Sequence, residues 1–501
     1  MVAASLKKQN NYIGVDATGA ATLPNGTGVS IVNSSNVSVG ADGVGNVISG
    51  NTNGGLWINS GSSLVTVENN FIGTDANGTA DLGNGGHGIQ TFNIATDVTI
   101  GGSADKGNVI SGNDFSGVAL QINTEDVTIA GNMIGVDVNG SHPLGNGIHG
   151  IHITESTDIT IEGRNVISGN ASSGIQIDAH HGGVSRNVTI RGNNIGTNAA
   201  GTIAVPNMSA GITSFAAANL TIGGSTVDGN LISGNAVDGV LVQGGGNEAV
   251  AISGNRIGTK ADGKAALGNG RQGVQIFNAR DVMVGGTSDD KRNLLSGNSD
   301  HGVFVWFSHQ TTVRNNFIGT NATGDGAVAD GDEGVIVVSG SDVTIDGNVV
   351  SGNRAGIAIN DSRYEPVVVE WPVADGGNGH FYVVSPTRSW TDAEAAAVSL
   401  GGNLAAVADA AENQFLVDSV VTGESWVGFS DHQTPDFVWS SGEDPTYTNW
   451  GTNEPNGGNR ENHATISTAG LWNDLPDFVG RPGVMEFIAA PDLSAVRATF
   501  G

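Results

Sequence analysis

The chain repeats itself. A motif N-x-I-G-[TV]-x occurs as NYIGVD (11–16), NFIGTD (70–75), NMIGVD (132–137), NNIGTN (193–198), NRIGTK (255–260) and NFIGTN (316–321), which spaces its isoleucines about 61 residues apart. A second series lies between these: NVISGN (46–51, 108–113 and 165–170), NLISGN (230–235), NLLSGN (293–298) and NVVSGN (348–353). Each member is followed by G-[VIL]-x-[VI]-x and then usually by a triplet such as V-T-I. Repetition at this period restricts the chain to architectures in which one short unit is stacked on the next.

The unit is made of strands. GIHIT (150–154) and GIQID (174–178) alternate apolar and polar residues with a period of two, and no segment of the repeats has helical periodicity. Each half-repeat reads as three strands of three to five residues with Gly/Asn corners. About 30 residues cannot bury their own apolar face, but stacked coils can, with every Ile and Val directed to a shared axis. Asparagine recurring at one corner predicts a hydrogen-bonded amide ladder with left-handed backbone tolerated there. The expectation is an all-β parallel β-helix of about 12 coils, rising ~4.8 Å per coil to about 58 Å.

Composition limits the partners. The net charge is −29, from 49 acids and 20 bases, which disfavours nucleic acid and anionic membrane surfaces. Charged residues make up only 14% and there are 79 glycines, a mixture compatible with disorder except that the regular Val/Ile spacing supplies a core. There is no cysteine, so disulfides and thiolate metal sites are excluded. No run approaches the ~20 apolar residues of a membrane helix. The opening MVAASLKKQNNYIGVDATG begins inside a repeat, so residue 1 reads as the start of a gene fragment, and the lack of a signal peptide there says little about location.

Over residues 11–360 the pattern resembles the right-handed parallel β-helix repeats of bacterial extracellular proteins and of pectate-lyase-like enzymes. That likeness implies fold and leaves function open, because one such rod serves many activities. The expected organisation is a β-helix over 1–360, a linker over 361–378, a second domain over 379–490 and a tail over 491–501. In the second domain, the stretches from Trp390 and from Ala410 are the good helix formers, and short strands with long loops follow them, which indicates an α+β fold. The order Trp390, Ala393, Gly401-Gly402, Leu404, Glu412, Phe415, Trp426-Val427-Gly428, Trp439, Gly442, Asn449-Trp450, Glu454-Pro455-Asn456, Trp472-Asn473-Asp474 and Glu486 resembles a C-type lectin-like domain.

The resemblance implies a calcium-dependent sugar site. In that family the ligands come from an EPN triplet, a following Glu and a WND triplet, here Glu454, Asn456, Glu461, Asn473 and Asp474. These side chains offer oxygen donors to Ca²⁺, which takes six to eight of them, and Pro455 resembles the family's cis-proline. EPN goes with mannose-, glucose- or GlcNAc-type glycans. Two departures stand out. The positions of the family's two disulfides fall at Ala397 with Met485 and at His463 with Asp477, and the interval from Asn456 to Glu461 is one residue shorter than in many members.

The repeats also carry outward positions of interest. By alternation, Trp57, Phe92, Phe215, Phe277, Phe304 and Trp306 face out, where aromatic rings can stack on sugar rings. Arg271, Asp300, His301, Asp332 and Glu333 precede the same strand in neighbouring coils, so His301 and Glu333 are the candidate base and acid of a polysaccharide-active site. The competing reading is a polar outer sheet, with its aromatics covered by the loops around Leu82 and Leu267. Asp16, Asp75 and Asp137 form a further column, but Lys260 in the equivalent place argues for turns rather than metal. Two functions follow. One is a secreted or cell-surface, bacterial carbohydrate-binding protein, an adhesin or lectin on a β-helical stalk. The other is a polysaccharide lyase, hydrolase or epimerase that uses the lectin domain as its binding module.

Overall fold

A computed structural model of the 501-residue chain describes residues 6–500 apart from 42, 44, 104, 180–181, 361–365, 432–435 and 459–460. The first five residues of the expected linker therefore lie outside the described residues. The chain divides into two compact units. One runs to Ile359 except for 306–309 and 338–341, and the other comprises those two segments and 360–501.

The repeats form three parallel sheets of twelve strands each, every third strand of the chain joining the same sheet. Pairing is in register from coil to coil: Ile151 faces Ile175 and Ile153 faces Ile177, while His152 faces Gln176. A one-residue slip would turn every apolar side chain outward, so burial fixes the register. Ile134 of the second sheet, Ile151 and Ile153 of the third, and Ile159 and Ile161 of the first are fully buried in one continuous core. Each contributes roughly 1.5–3 kcal/mol of burial.

The corners explain the Asn and Gly. Two amide ladders run along the repeats. In one, Asn84 Nδ2 donates to Asn113 Oδ1 at 2.8 Å, Asn113 to Asn146 at 2.9 Å and Asn146 to Asn170 at 2.9 Å. In the other, Asn70 donates to Asn108 at 2.9 Å and Asn108 to Asn132 at 2.9 Å. These buried amides satisfy one another and the main chain at the turns between sheets. The Gly of N-x-I-G is required: Gly135 has φ +80°, and a Cβ there would lie 2.3 Å from Ser168 O. The Asp/Asn column after that motif closes its own turn. Asp75 Oδ1 accepts from the amides of Thr79 (2.7 Å) and Ala80 (3.0 Å), and Asp137 Oδ1 from those of Ser141 (2.7 Å) and His142 (3.1 Å).

The second unit contains two four-stranded sheets and helices at the expected places. Helix α1 (Trp390–Ser399) is capped by Ser389, whose hydroxyl accepts from Asp392 N at 3.1 Å. Helix α2 (Ala410–Ser419) is capped by Asp409, which accepts from Ala411 N and Glu412 N. Val368–Glu370, within the stretch expected as a linker, is a strand paired with Phe381–Val384, as its run of valines permits. The residues expected as a tail form a third helix, α3 (Leu493–Phe500), because Val496 and Phe500 find a place in the core beside Ala397 and Met485. Ala397 and Met485, at the place of one family disulfide, are both fully buried there. Among the described residues no helix is long and apolar enough to cross a membrane.

Candidate functional site

The strand Trp472–Leu475 pairs with His463–Ile466, setting Asp474 opposite Ala464 and Asn473 opposite Thr465. Trp472 anchors the strand: its ring is buried and Nε1 donates to Asn413 Oδ1 at 2.8 Å. The next residues are thereby held at the sheet edge under the loop that carries Glu454, Pro455 and Asn456. The Glu454–Pro455 bond is cis.

Asp474 organises this loop. Its Oδ1 accepts from Asn456 N at 2.9 Å and its Oδ2 from Gly457 N at 3.0 Å. Both bonds are charge-assisted and leave further lone pairs on each oxygen. Gly457 has a second role. A Cβ at this position would meet the Cβ, Cγ and Oε2 of Glu461 at 2.2–2.4 Å, so its absence lets the Glu461 side chain lie against the loop.

The carboxylates act on one another. Burial and then the neighbouring Asp474 raise the pKa of Glu454, with Glu461 adding to the effect. Burial and then Asp474 raise that of Glu461. Among the described residues, negative charge is therefore concentrated here, with Asp474 and Glu461 the charged groups that raise these values. Glu454 Oε2 is buried and has no hydrogen-bond partner. An orphaned carboxylate oxygen, acids that repel one another and a set of hard oxygen donors together fit a divalent cation of the Ca²⁺ type.

Of the five residues expected here, Glu454, Asn456, Glu461 and Asp474 interact with one another. Asn473 is tied elsewhere: its Nδ2 lies 3.4 Å from Glu424 Oε1. Glu424 also accepts from Thr465 Oγ1 at 3.1 Å and pairs with Arg481 Nε at 2.8 Å. Sequence reasoning missed Glu424. It lies 49 residues before Asn473, in no motif, and only sheet pairing brings the two together.

At the place of the family's second disulfide, His463 Nε2 stands 3.9 Å from Asp477 Oδ1. His463 is held mainly by other groups. Its ring stacks on Trp390 with centroids 4.5 Å apart, and Nδ1 is 3.0 Å from Ser430 Oγ.

In the repeats, His301 and Glu333 do meet, with His301 Nδ1 3.1 Å from Glu333 Oε2. Main-chain bonds stack their coils: Asp300 N donates to Arg271 O, and Asp332 N to Asp300 O. Among the described residues, His301, Asp332 and Glu333 are the one group of three or more His, Asp or Glu side chains whose ligand atoms all lie within 4.8 Å of one another. Arg354 occupies this cluster, with Nε 2.9 Å from Asp332 Oδ1 and a terminal nitrogen 2.9 Å from Glu333 Oε1. Its hydrogen bond and charge hold the Glu333 carboxyl below the usual range. A general acid needs the opposite shift. Arg354 could have been found by extending the column one coil further, past NVVSGN.

Two family models match the chain: "Right handed beta helix region" over residues 216–385 and "Lectin C-type domain" over 386–484. Ladderlectin of Oncorhynchus mykiss is 39% identical over 108 residues, covering 20% of this chain and 57% of that protein. The low affinity immunoglobulin epsilon Fc receptor of Mus musculus is 33% identical over 96 residues, 19% of this chain and 29% of the receptor. The mannose-binding protein of Gallus gallus is 40% identical over 77 residues, 15% of this chain and 30% of that protein. Among solved structures, the cow C-type carbohydrate-recognition domain of CD23, determined in the presence of GlcNAc2Man3 oligosaccharide, is 27% identical with a TM-score of 0.21, covering 22% of this chain and 89% of that one.

Proposed function

We propose that this chain, a right-handed β-helix followed by a C-type lectin domain, binds glycans through calcium at Glu454, Asn456, Glu461, Asn473 and Asp474. Carbohydrate binding as a class is supported by the lectin relatives. The observation that carries the finer reading is the buried, unpartnered Oε2 of Glu454 beside the mutually repelling Glu461 and Asp474. Bound Ca²⁺ would offer open coordination positions to two vicinal hydroxyls of a sugar. The protein's own part is to hold the oxygens: Asp474 pins the 456–457 amides, Trp472 fixes the strand beneath, and Glu424 orients the Asn473 amide.

Mannose-, glucose- or GlcNAc-type glycans are the proposed ligands, as the EPN triplet's resemblance implies, and the name of one relative mentions mannose. We place the protein outside the cell or on its surface, with the repeats as scaffold in an adhesin-like or lectin role. The alternative, polysaccharide cleavage at His301 and Glu333, is less well supported because Arg354 keeps Glu333 ionised. The test is a glycan array probed with the full chain in calcium, in EDTA and as Asp474→Ala. Binding is expected to be strongest in calcium and to fall in EDTA and in the variant. Binding that is undiminished both by EDTA and in the variant refutes the site.

A further inference from the structure

A cavity on the repeats, far in sequence from the lectin domain, is lined by aromatic rings and side-chain amides. The strands Gly54–Asn59 and Ile89–Phe92 are neighbours in the third sheet, with Trp57 opposite Gln90 and Asn59 opposite Phe92. The inward partners Leu56, Ile58 and Ile89 are fully buried, so the alternation puts Trp57, Asn59, Gln90 and Phe92 on the outer face. They make a tile of two by two, with the aromatic rings on one diagonal and the side-chain amides on the other. These four residues line a cavity of about 280 Å³.

Several details prepare this tile for a ligand. The indole of Trp57 lies over Gly54, where a Cβ would come within 2.7 Å of Nε1, so the glycine makes room for the ring. Phe92 is 43% exposed, so its ring face is open to a ligand. Gln90 Nε2 donates to Gln121 Oε1 at 2.8 Å, which fixes the amide and leaves its carbonyl oxygen as an acceptor. Most tellingly, Asn59 Oδ1 is buried with no hydrogen-bond partner. Such an orphan costs roughly 1–3 kcal/mol when nothing satisfies it.

The lining has no charged group, which leaves nothing to pair with an anionic or cationic ligand. The two rings offer apolar faces, and the amides ask for hydroxyl donors at the rim. A neutral pyranose has this dual character, with C–H groups on its faces and hydroxyls around its edge. The volume falls just below the ~300–1,000 Å³ typical of small-molecule pockets, room for one ring rather than a long oligomer. We infer that Trp57, Asn59, Gln90 and Phe92 form a calcium-independent subsite for a neutral sugar ring on the β-helix. It needs no cation, because stacking and amide hydrogen bonds provide the contacts. It therefore operates independently of the acidic loop at 454–474.

The test uses the full chain carrying Asp474→Ala, in EDTA, so that the loop site is silent. Mannotetraose, cellotetraose and a tetragalacturonate are the probes, read by saturation-transfer NMR and calorimetry. The two neutral oligomers are expected to bind and the uronate to bind at least tenfold more weakly. Phe92→Ala, an exposed truncation, should weaken neutral-sugar binding at least tenfold, and Trp57→Phe should retain more affinity than Trp57→Ala. Far-UV circular dichroism checks that each variant keeps its sheet, and Phe92→Ala decides the matter if Trp57→Ala does not fold. No binding of either neutral oligomer in EDTA, or binding unchanged in Phe92→Ala, overturns the inference. Either result leaves the calcium-dependent reading standing, since that reading fails only if EDTA has no effect on the glycan array.

Discussion

Asn298 donates both its main-chain N–H and its side-chain Nδ2 to a single oxygen of Asp330, each at 2.9 Å. Asp330 takes the place of an asparagine in the amide ladder, with Asn353 as the next rung through Asp330 N to Asn353 Oδ1 at 2.9 Å. A carboxylate accepts as well as an amide does, but it cannot pass a hydrogen bond on. Its Oδ2 is accordingly buried without a partner. Burial pushes its pKa up to about 7.

Asp330→Asn should therefore stabilise the repeats. A carboxyl raised from about 3.8 to about 7 leaves the folded state unpenalised while protonated in both states, and stability is lost as pH rises through that window. The loss is at most about 1.4 kcal/mol per pH unit. Thermal melts should show the wild type losing stability between about pH 4 and pH 7, and the variant nearly flat over the same range. Equal melting temperatures at pH 7 would refute the argument.

Glu454→Gln separates two consequences of the acidic loop. Burial and Asp474 raise the pKa of Glu454, so its ionised form is unfavourable there without a cation. The neutral amide should raise the melting temperature in EDTA slightly and abolish the upward shift that calcium gives the wild type. Scanning calorimetry in millimolar calcium, in the range on the order of 10⁻⁴–10⁻³ M expected of extracellular sites, reads both effects.

Glu424→Ala tests positioning. With the Asn473 amide and the Arg481 guanidinium released from Glu424, calcium affinity should fall about three- to tenfold, less than the loss for Asp474→Ala. Glu424→Gln, which keeps an acceptor for Asn473, should recover part of it. Calorimetric titration with calcium that gives equal affinities for all three proteins would contradict the role.

His463→Ala and Asp477→Ala should differ sharply. His463 is buried between Trp390 and Ser430, so its truncation should cost about 2–3 kcal/mol. Asp477 is 3.9 Å from the imidazole and half exposed, and its better contact is the amide of Thr391 at 2.8 Å. Its removal should cost about 1 kcal/mol or less. Chemical denaturation of the two single variants distinguishes them.

Arg354→Ala should let the Glu333 carboxyl return toward its ordinary pKa near 4.5, visible by carboxyl ¹³C titration. The sign follows from the depressed folded value. The Arg354 contact stabilises above the unfolded pKa and its contribution disappears as pH falls through the folded one, so wild type and variant should converge in acid. An unmoved Glu333 titration would mean that Arg354 does not set its charge.

The sequence by itself determined the coil. Period-two alternation in GIHIT and GIQID admits one buried face, and the identical spacing of each unit stacks Ile on Ile, so register followed from local pattern alone. The capped starts of α1 and α2 were equally local; the candidate residues at 454–474 came from the family resemblance. Stacking and sheet pairing decided what those groups meet. Arg354 neutralises Glu333 from 21 residues away, Glu424 reaches Asn473 across 49, and Asp330 inherits from its neighbours a ladder position that calls for an amide. Val368–Glu370 became a strand because the next strand, Phe381–Val384, supplied a sheet edge, and Leu493–Phe500 a helix because residues distant in sequence supplied a core. Local pattern fixes which face of an element is apolar, whereas the ionisation and hydrogen bonding of a polar side chain depend on groups that come within ångströms of it only after folding.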